Sequence, residues 1–323
     1  MSPIAAEVWT MGELLVEVMR PRPGLDLGKA APFIGPFPSG APGIFIDTAA
    51  RLGHSAAIIS GVGDDEFGRC ILERFRADGV ATDLVRVFPN RSTGVAFVMY
   101  EKDGSRKFIF HWDGTPAVMA EVPDASEIAS ARFFHVMGCS LMANDAFRER
   151  VFGALELFRS RGARISFDPN IRFELLAGRP VDQIAGPLLR SCSILFPGER
   201  EVVLLSGEET VERAVASLFA RYPMETIVLK RGRKGCTVFQ RRGSADGIES
   251  FDVPAFRVRE VDPTGAGDCF DAGFLCGILE GKDPRESARL ASAVGALNAQ
   301  AFGPMEGRIT AQRAAAMLRR RRA

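Results

Sequence analysis

A turn of small residues followed at once by an acidic residue is the feature of this sequence best suited to chemistry. Residues 262–268 read Asp-Pro-Thr-Gly-Ala-Gly-Asp, and an apolar helical pattern begins directly after them. The small residues Gly265, Ala266 and Gly267 allow a tight turn, and the unpaired N–H groups of a helix start attract an anion. The carboxylate of Asp268 lies in the same turn, where it could accept the proton of a hydroxyl near a bound phosphate. The segment therefore predicts a phosphate-sized site with a general base beside it.

The same seven residues also have a purely structural interpretation, in which Thr264 or Asp268 caps the helix and the glycines only form the turn. Two other phosphate-binding motifs are missing from the sequence. No G-x-x-x-x-G-K-S/T motif occurs, and Phe270 stands where a G-x-G-x-x-G motif needs its third glycine. The sequence therefore contains neither a Walker A loop nor a dinucleotide-binding fingerprint.

Charge and composition restrict the kinds of partner. The 323 residues include 41 Lys and Arg against 40 Asp and Glu, so the net charge is +1 at pH 7. Such a balanced chain lacks the basic field that attracts nucleic acids or anionic membranes, and no apolar run approaches the roughly 20 residues that span a bilayer. The six cysteines are scattered without a Cys-x-x-Cys pair, which favours free thiols over disulfides or a zinc site. We therefore expect a cytoplasmic protein with small-molecule ligands and no nucleic acid or membrane partner.

Alternating strand and helix patterns predict the scaffold that positions these residues. Short apolar runs are separated by amphipathic helical stretches, which is typical of a mostly parallel sheet covered by helices on both faces. We predict strands at Val8–Val18, Ala56–Ser60, Arg132–Met137, Arg164–Asp168, Ser193–Phe196 and Thr226–Lys230. We predict helices at Ile44–Leu52, Glu66–Asp78, Asp145–Arg161, Val181–Arg190 and Thr210–Arg221, and another after residue 265.

Two segments interrupt this alternation. Val95–Tyr100 and Arg106–His111 flank a Lys-Asp-Gly-Ser turn, and an Asp-Gly pair between two β-rich runs predicts a hairpin. Pro21–Pro38 is rich in proline and glycine and has little helical character. We expect both segments to extend from the central sheet as a small β-lid over its edge. The basic residues Arg319–Arg322 are interpreted as the solvated end of a C-terminal helix.

Taken together, these motifs resemble the signatures of the ribokinase/PfkB carbohydrate kinase family. Residues 262–274 are similar to the C-terminal signature of that family, and residues 39–68 are similar to its N-terminal signature. The segments 93–94, 168–172 and 230–235 occur between them in the order of the family. The resemblance implies a ribokinase-like three-layer α/β/α fold with a mostly parallel central sheet and a small β-sheet lid. It also implies one kinase domain over residues 1–323, with lid segments at approximately 14–38 and 91–117.

The resemblance further implies an ATP-dependent carbohydrate kinase that uses Mg²⁺. Asp268 corresponds to the base that deprotonates the sugar hydroxyl, and the amides of Gly265, Ala266 and Gly267 correspond to the anion hole for the transferred phosphoryl group. Backbone donors, a metal ion and one carboxylate suffice for this transfer, which depends mainly on positioning and charge stabilisation. By the same resemblance, the sugar would contact Glu17, Gly40, Arg106, Phe108, Trp112, Asn170, Asp268 and Arg172, the last of which would also take part in catalysis. The nucleotide would contact Lys230, Gly232, Gly235, Thr264, Gly265, Gly267 and Asn298, the last on a helix beside the adenine.

Three positions depart from the family pattern. Ile44 and Gly198 stand where the family carries asparagines, and Ser39 stands where it carries a glycine. An apolar Ile44 cannot donate a hydrogen bond to a sugar oxygen, so that contact is lost or replaced. Glu201 remains from the N-x-x-E motif of the family and would order the water shell of the metal ion, although its asparagine partner is missing.

The lid region bears on the choice of substrate. The segment 108–114 occupies the place where 2-keto-3-deoxygluconate kinases of the family carry aromatic residues and an arginine that pairs with the substrate carboxylate, and Trp112 has no charge. We therefore expect transfer of the γ-phosphoryl group to a primary hydroxyl of a neutral, ketohexose-like sugar such as fructose or tagatose. Because Arg172 and Arg106 could still bind an anion, a 2-keto-3-deoxygluconate kinase stays open, as do a nucleoside kinase and a noncatalytic sugar- or nucleotide-sensing protein. The resemblance also predicts a homodimer through the lid, whose edge strands would otherwise be exposed, and it leaves a requirement for K⁺ open.

Overall fold

The structure is a computed structural model that describes residues 2–176, 179–242 and 247–320. The strands are β1 (Ile4–Ala5), β2 (Val8–Met11), β3 (Leu15–Met19), β4 (Ile34–Ser39), β5 (Ala56–Gly63), β6 (Val80–Ala81), β7 (Val85–Phe88), β8 (Gly94–Tyr100), β9 (Arg106–His111), β10 (Ile128–Ser130), β11 (Phe133–Met137), β12 (Arg164–Asp168), β13 (Cys192–Leu195), β14 (Thr226–Lys230), β15 (Cys236–Arg242) and β16 (Gly247–Val253). The helices are α1 (Ala41–Arg51), α2 (Glu66–Asp78), α3 (Gly138–Met142), α4 (Asp145–Ser160), α5 (Phe173–Leu176), α6 (Val181–Leu189), α7 (Glu199–Ser206), α8 (Val211–Arg221), α9 (Ala266–Leu279), α10 (Pro284–Asn298) and α11 (Ala311–Arg320).

The central sheet runs in the order β16-β15-β14-β13-β12-β11-β2-β5-β6, and β7 also pairs with β5. All pairings from β14 to β6 are parallel. Strands such as β5 are buried along their whole length, as expected for a parallel sheet with both faces covered. The predicted mostly parallel sheet is therefore confirmed. The antiparallel hairpin of β15 and β16 at one edge was not predicted from the sequence.

Helices cover the central sheet on both faces and enclose two apolar cores. Side chains of α1, α2, α9 and α10 pack in one core, and those of α4, α6, α7 and α8 pack in the other. Helix α2 illustrates the local cause, because the Asp65 side chain accepts a hydrogen bond from the Gly68 amide at its start and the left-handed Gly79 ends it. The three-layer α/β/α arrangement is therefore confirmed. No helix in the described part of the chain is long and apolar enough to cross a membrane.

A second, four-stranded sheet has the order β4-β3-β8-β9 and forms the lid. Strands β8 and β9 make the predicted hairpin, in which Tyr100 lies opposite Arg106. The connection before β4 is organised by Arg20, which is 1% exposed and donates hydrogen bonds to backbone carbonyls of Asp26 and Ala31. The hydrogen bonds of Arg20 thus hold the connection before β4 in place, although this connection contains no helix.

The prediction of one strand over Val8–Val18 is wrong. The segment forms two strands in different sheets, because β2 belongs to the central sheet and β3 to the lid. At Gly12, between the two strands, a Cβ atom would lie 2.3 Å from Cγ of Pro42 and 2.5 Å from Oγ of Ser140. Only glycine can therefore be accommodated at position 12, where the chain leaves the central sheet and enters the lid. At the other end, Arg319 and Arg320 of the predicted basic tail are the last residues of α11, and residues 321–323 lie outside the described residues.

Candidate active site

The carboxyl ends of two parallel strands and the start of one helix meet at a single place. Asp168 is the last residue of β12, Lys230 is the last residue of β14, and Asp268 lies in the first turn of α9. In open α/β sheets this edge is where ligands bind. The fold thus joins three of the segments that the sequence motifs singled out.

The phosphate turn, defined here as Pro263–Gly267, has a backbone that requires glycine. Gly265 has a φ of 75°, and a Cβ atom there would lie 2.3 Å from the carbonyl oxygen of Pro304. No side chain caps the N-terminus of α9, so the interpretation of Thr264 or Asp268 as a helix cap is wrong. A Cβ atom on Gly267 would lie 3.9 Å from Nζ of Lys230. The first turn of α9 is therefore free of a side-chain cap and faces a cation.

The amide of Ala266, one of the three predicted anion donors, has a hydrogen-bond partner within the turn. It donates a hydrogen bond to the carbonyl oxygen of Pro263 at 3.2 Å, which closes the turn itself. An anion at this helix start would therefore rely on the amides beyond Ala266, beginning with Gly267. The anion hole at Gly265, Ala266 and Gly267 stays a prediction, and the Ala266 amide is already bonded within the turn.

Asp268 is a buried carboxyl group, with 8% of its surface exposed. Its Oδ1 accepts a hydrogen bond from Nδ2 of Asn170 at 3.2 Å. Burial raises the pKa of Asp268 to about 7, assisted by the nearby carboxylate of Asp168 and opposed by the charges of Lys230 and Arg172. A base with a pKa near neutrality is well suited to proton transfer at physiological pH.

Lys230 binds two buried carboxyl groups at once. Its Nζ lies 2.6 Å from Oδ2 of Asp168 and 3.2 Å from Oδ2 of Asp271. Burial opposes the charge of Lys230, but the two carboxyl groups outweigh it and raise the pKa of the ammonium. Burial also acts to raise the pKa of Asp168, and the Lys230 charge outweighs it, so that pKa is lowered. Burial raises the pKa of Asp271 well above its usual range, and the charge of Lys230 opposes this shift.

Asp271 was missed by the sequence analysis, although its signal was present. It lies three residues after Asp268 on α9, and such a spacing places two side chains on the same helix face. The structure also gives Asn170 a direct contact with Asp268. Asn170 and Lys230 thus both contact the acidic face of α9.

Glu201 connects two loops of the site. Its Oε1 accepts a hydrogen bond from the Ile171 amide at 2.8 Å, and its Oε2 accepts one from the Gly198 amide at 2.7 Å. In the described residues, no group of three or more His, Cys, Asp or Glu side chains is arranged to hold a metal ion. Mg²⁺ commonly keeps several waters and is held by one or two carboxylates together with substrate phosphates. The acidic residues present therefore fit a magnesium ion that arrives with a nucleotide better than a resident metal.

A cavity of about 850 Å³ opens beside the phosphate turn. Its wall runs from Lys230 and Gly267 past Gly232 and Gly235 to the C-terminal half of α10. A volume of this size is in the range of pockets that hold a nucleotide-sized ligand. Four of the residues predicted to contact the nucleotide thus line one cavity.

The nucleotide contact of Asn298 stays a prediction, and the structure places this side chain away from the lining of the cavity. Asn298 is fully buried and does not line the cavity. Its Nδ2 donates hydrogen bonds to the carbonyl oxygens of Thr264 at 2.8 Å and Pro304 at 2.9 Å, and its Oδ1 accepts one from the Gly307 amide at 3.3 Å. Thr264 is also buried and lies behind the cavity wall. Both residues fix the phosphate turn from below.

A second, small cavity lies between the lid and the central sheet. Its lining includes five residues predicted to contact a sugar, namely Glu17, Gly40, Phe108, Trp112 and Arg172. Arg106, Asn170 and Asp268 are outside this lining. The guanidinium of Arg106 lies 5.6 Å from the ring centre of Phe108, on the exposed strand β9. The cavity combines aromatic walls with carboxyl groups, a combination that suits a polyhydroxyl ligand.

Two buried glutamates line this second cavity. Oε1 of Glu17 accepts a hydrogen bond from Oγ of Ser39 at 2.7 Å, and its Oε2 has no protein partner. Glu13, which was not predicted, lies next to the hydroxyl of Ser140 at 2.5 Å and the thiol of Cys139 at 3.1 Å. Burial raises the pKa of both glutamates. The spacing of four residues between them could have indicated Glu13, because alternate residues of an extended chain share one side.

The departures from the expected motifs have structural explanations. Ser39 supplies the hydroxyl that binds Glu17, a contact that glycine cannot make. Ile44 is 3% exposed, and its Cγ2 lies 3.1 Å from where a Cβ atom on Gly265 would be. Ile44 therefore packs beneath the phosphate turn and takes no part in the second cavity.

Comparison with known proteins identifies what this site resembles. The sequence profile described as the pfkB family of carbohydrate kinases matches residues 37–311. Fructokinase-1 from Oryza sativa subsp. japonica is 31% identical over 311 residues, which cover 92% of this chain and 92% of the relative.

Two solved structures have the same overall fold. A putative Ribokinase II from E. coli, in complex with ATP and Mg²⁺, has a TM-score of 0.88 and 36% sequence identity, with 98% of this chain and 99% of the other covered. A fructokinase double mutant from Vibrio cholerae O395, in a form with fructose, ADP and potassium ion bound, has a TM-score of 0.80 and 24% identity, with 98% and 100% covered. At that identity, the second likeness supports the fold alone.

Proposed function

The chain belongs to the pfkB family of carbohydrate kinases, and we propose that it transfers the γ-phosphoryl group of ATP to a primary hydroxyl of a ketohexose-like sugar such as fructose. The observation that carries the proposal is the position of Asp268. This buried carboxyl group begins the helix whose Gly267 lines the larger cavity, and Arg172 of the smaller cavity acts on its pKa. A base between a nucleotide cavity and a sugar cavity is what phosphoryl transfer to an alcohol needs.

The proposed reaction assigns one task to each group. The ionised Asp268 accepts the proton of the sugar hydroxyl, whose oxygen then attacks the γ-phosphorus while the bond to the β-phosphate oxygen breaks. Asn170 holds Oδ1 of Asp268 in place. The helix-start amides from Gly267 onward and the ammonium of Lys230 stabilise the charge on the transferred group. Mg²⁺ bound to the nucleotide would neutralise part of the phosphate charge, with Glu201 near its water shell.

The smaller cavity supports a neutral sugar as the acceptor. Glu13 and Glu17 place two carboxyl groups in its wall, and Oε2 of Glu17 lacks a protein partner. Sugar hydroxyls can satisfy such buried oxygens, whereas a sugar carboxylate would be repelled by an ionised glutamate. Arg172 is the one feature that favours a sugar acid, so 2-keto-3-deoxygluconate is the second candidate substrate.

A substrate panel tests this proposal. Fructose, tagatose, ribose, 2-keto-3-deoxygluconate and adenosine would be compared by their kcat/KM in an assay coupled to ADP release. We expect the largest value for a ketohexose. A largest value for the sugar acid would assign the specificity to Arg172 instead. Measurable sugar binding without ADP release from any of the five would favour the noncatalytic sensor.

We also propose a homodimer formed through the lid. The outer strands of the lid sheet are β4 and β9, and large apolar side chains near or on them are exposed, with Phe33 at 38%, Ile34 at 43% and Ile109 at 47%. Such edges tend to pair with another chain. Sedimentation equilibrium is expected to give twice the chain mass, and Ile109→Glu is expected to give a monomer. A native monomer at micromolar concentration would refute the dimer.

Replacing K⁺ by choline in the activity assay would decide whether a monovalent cation is needed.

A further inference from the structure

Tyr100 joins the lid to the residue that holds the phosphate turn. It is the last residue of β8 in the lid, and it also lines the larger cavity. Its hydroxyl donates a hydrogen bond to Oδ1 of Asp262 and lies 2.5 Å from Oγ1 of Thr264. Burial and the Asp262 carboxylate raise the pKa of Tyr100, so the hydroxyl stays protonated and can donate.

Asp262 fixes the phosphate turn on its other side. Its Oδ1 accepts hydrogen bonds from the amide of Thr264 at 2.9 Å and from Oγ1 of Thr264 at 2.7 Å, and its Oδ2 accepts one from the amide of Gly303 at 2.9 Å. Asp262 is 1% exposed and Thr264 is 3% exposed. Thr264, which directly precedes Gly265, is thus held by the Asp262 carboxylate, and Tyr100 binds the same carboxylate.

The sheet that carries Tyr100 also carries sugar-cavity residues. Glu17 on β3 lies opposite Ala96 on β8, and Phe108 on β9 lies opposite Val98 on β8. Backbone hydrogen bonds of the sheet therefore connect the wall of the smaller cavity to Tyr100. A ligand that fixes this sheet would also fix the position of the tyrosine hydroxyl.

We propose that Tyr100 is a positioning residue that couples sugar binding under the lid to nucleotide binding at the phosphate turn. The proposal rests on the proposed function for the sugar cavity. A lid fixed by sugar holds Tyr100 against Asp262 and Thr264, and these two residues hold the turn in the shape that binds phosphate. Coupling of this kind is reciprocal, so nucleotide must tighten sugar binding by the same factor.

Titration calorimetry of Tyr100→Phe tests the proposal. The probe is the nonhydrolysable ATP analogue AMP-PCP with Mg²⁺, titrated with and without a saturating amount of the panel sugar that has the highest kcat/KM. We expect the sugar to lower the Kd of AMP-PCP by about tenfold in the native protein and by less than about twofold in Tyr100→Phe, within the usual range of coupling between sites. Phenylalanine keeps the ring that lines the larger cavity, so without sugar the two proteins are expected to bind AMP-PCP about equally.

A matched control comes from the other tyrosine of the chain, Tyr222. It follows α8 and lines neither cavity, so Tyr222→Phe is expected to keep the native coupling. Thermal melting would verify that Tyr100→Phe is folded, as expected because Asp262 keeps its donors from Thr264 and Gly303. In steady-state kinetics, Tyr100→Phe is expected to raise the KM of ATP at saturating sugar more than it lowers kcat.

The outcomes separate this proposal from the proposed function. A panel in which no sugar is turned over would overturn both. An enzyme that turns over a sugar but keeps its full coupling in Tyr100→Phe would overturn the role of Tyr100 alone, as would a native enzyme without coupling. A double-mutant cycle with Thr264→Val is expected to be strongly non-additive, and additive effects would count against the shared contact.

Discussion

The ionisation of Asp268 is expected to set both the acidic limb of the reaction and part of the pH dependence of folding. Burial raises its pKa from an ordinary 3.8 to about 7. Because the reactive form is the carboxylate, kcat/KM for the sugar is expected to fall about tenfold for each pH unit below 7. The pH dependence of kcat/KM reports the free enzyme, which is the state that the structure describes.

The same pKa makes a prediction about stability, with a defined sign. Between pH 3.8 and about 7 the folded state holds the Asp268 proton and the unfolded state has lost it, so stability falls as pH rises through this window. The two pKa values differ by about three, which corresponds to about 4 kcal/mol at 1.36 kcal/mol per unit. Asp268→Asn is therefore expected to raise the free energy of unfolding by up to about 4 kcal/mol at pH 8 and to change it little near pH 4.

The assay combines initial rates with thermal melting. Rates of ADP release would be measured from pH 5 to pH 9 at constant ionic strength with ATP and sugar both below their KM, and melting of native and variant proteins at pH 5 and pH 8. Asp268→Asn is expected to lower turnover by about 10²- to 10⁴-fold while melting at a higher temperature at pH 8. This combination of lost activity and gained stability is unusual for a core substitution, and a merely structural Asp268 would not produce it.

Asp271→Asn is the matched control on the same helix. Asp271 contacts Lys230, whereas Asp268 contacts Asn170, so an amide of the same size at position 271 is expected to leave the acidic limb near pH 7. The reasoning would be refuted by a kcat/KM that is flat from pH 5 to pH 8. It would also be refuted if Asp268→Asn melted at a lower temperature than the native protein at pH 8.

Four further substitutions test other parts of the site. Lys230→Met leaves the carboxyl groups around it without their cation, so we expect it to lower the free energy of unfolding by about 3–5 kcal/mol in denaturant titrations and to raise the KM of ATP. Gly267→Ala adds a methyl group that meets nothing closer than 3.9 Å, so this variant should melt normally yet lose phosphoryl transfer. Gly265→Ala, at a φ of 75°, should lose about 1–3 kcal/mol of stability from backbone strain alone. Equal melting temperatures of the two variants would contradict this expectation. Glu17→Ala is expected to raise the KM of the sugar by about tenfold without changing that of ATP, and a change in the ATP value alone would place Glu17 elsewhere.

Local patterns in the sequence were sufficient for the scaffold and for the phosphate turn. Predicted strands such as Arg164–Asp168 and Thr226–Lys230 have the observed bounds, and helix α2 agrees at both ends. These elements depend on hydrophobic periodicity and on capping residues a few positions away, which a single sequence contains. The Asp-Gly pair of the lid hairpin is equally local.

The sequence alone was insufficient where contacts between distant segments decide the structure. The break at Gly12 depends on contacts with Pro42 and Ser140, and without it Val8–Val18 reads as one apolar strand. The burial of Asn298 beneath the phosphate turn depends on carbonyl groups that only the fold brings near its amide. Neither contact has a signal in the spacing of neighbouring residues.

The balance of charge around Lys230 explains why two aspartates of one site behave differently. Asp168 has an ammonium at 2.6 Å, and its pKa is lowered although it is buried. Asp271 lies 3.2 Å from the same ammonium, and burial raises its pKa well above the usual range. Burial places the pKa of Asp268 near 7, because the carboxylate of Asp168 adds to this effect and the charges of Lys230 and Arg172 oppose it only in part. A phosphoryl group that drew Lys230 away from Asp168 would raise the pKa of Asp168 as well. The basicity of this site thus depends on where one ammonium lies, a property that a net charge of +1 over the whole chain does not reveal.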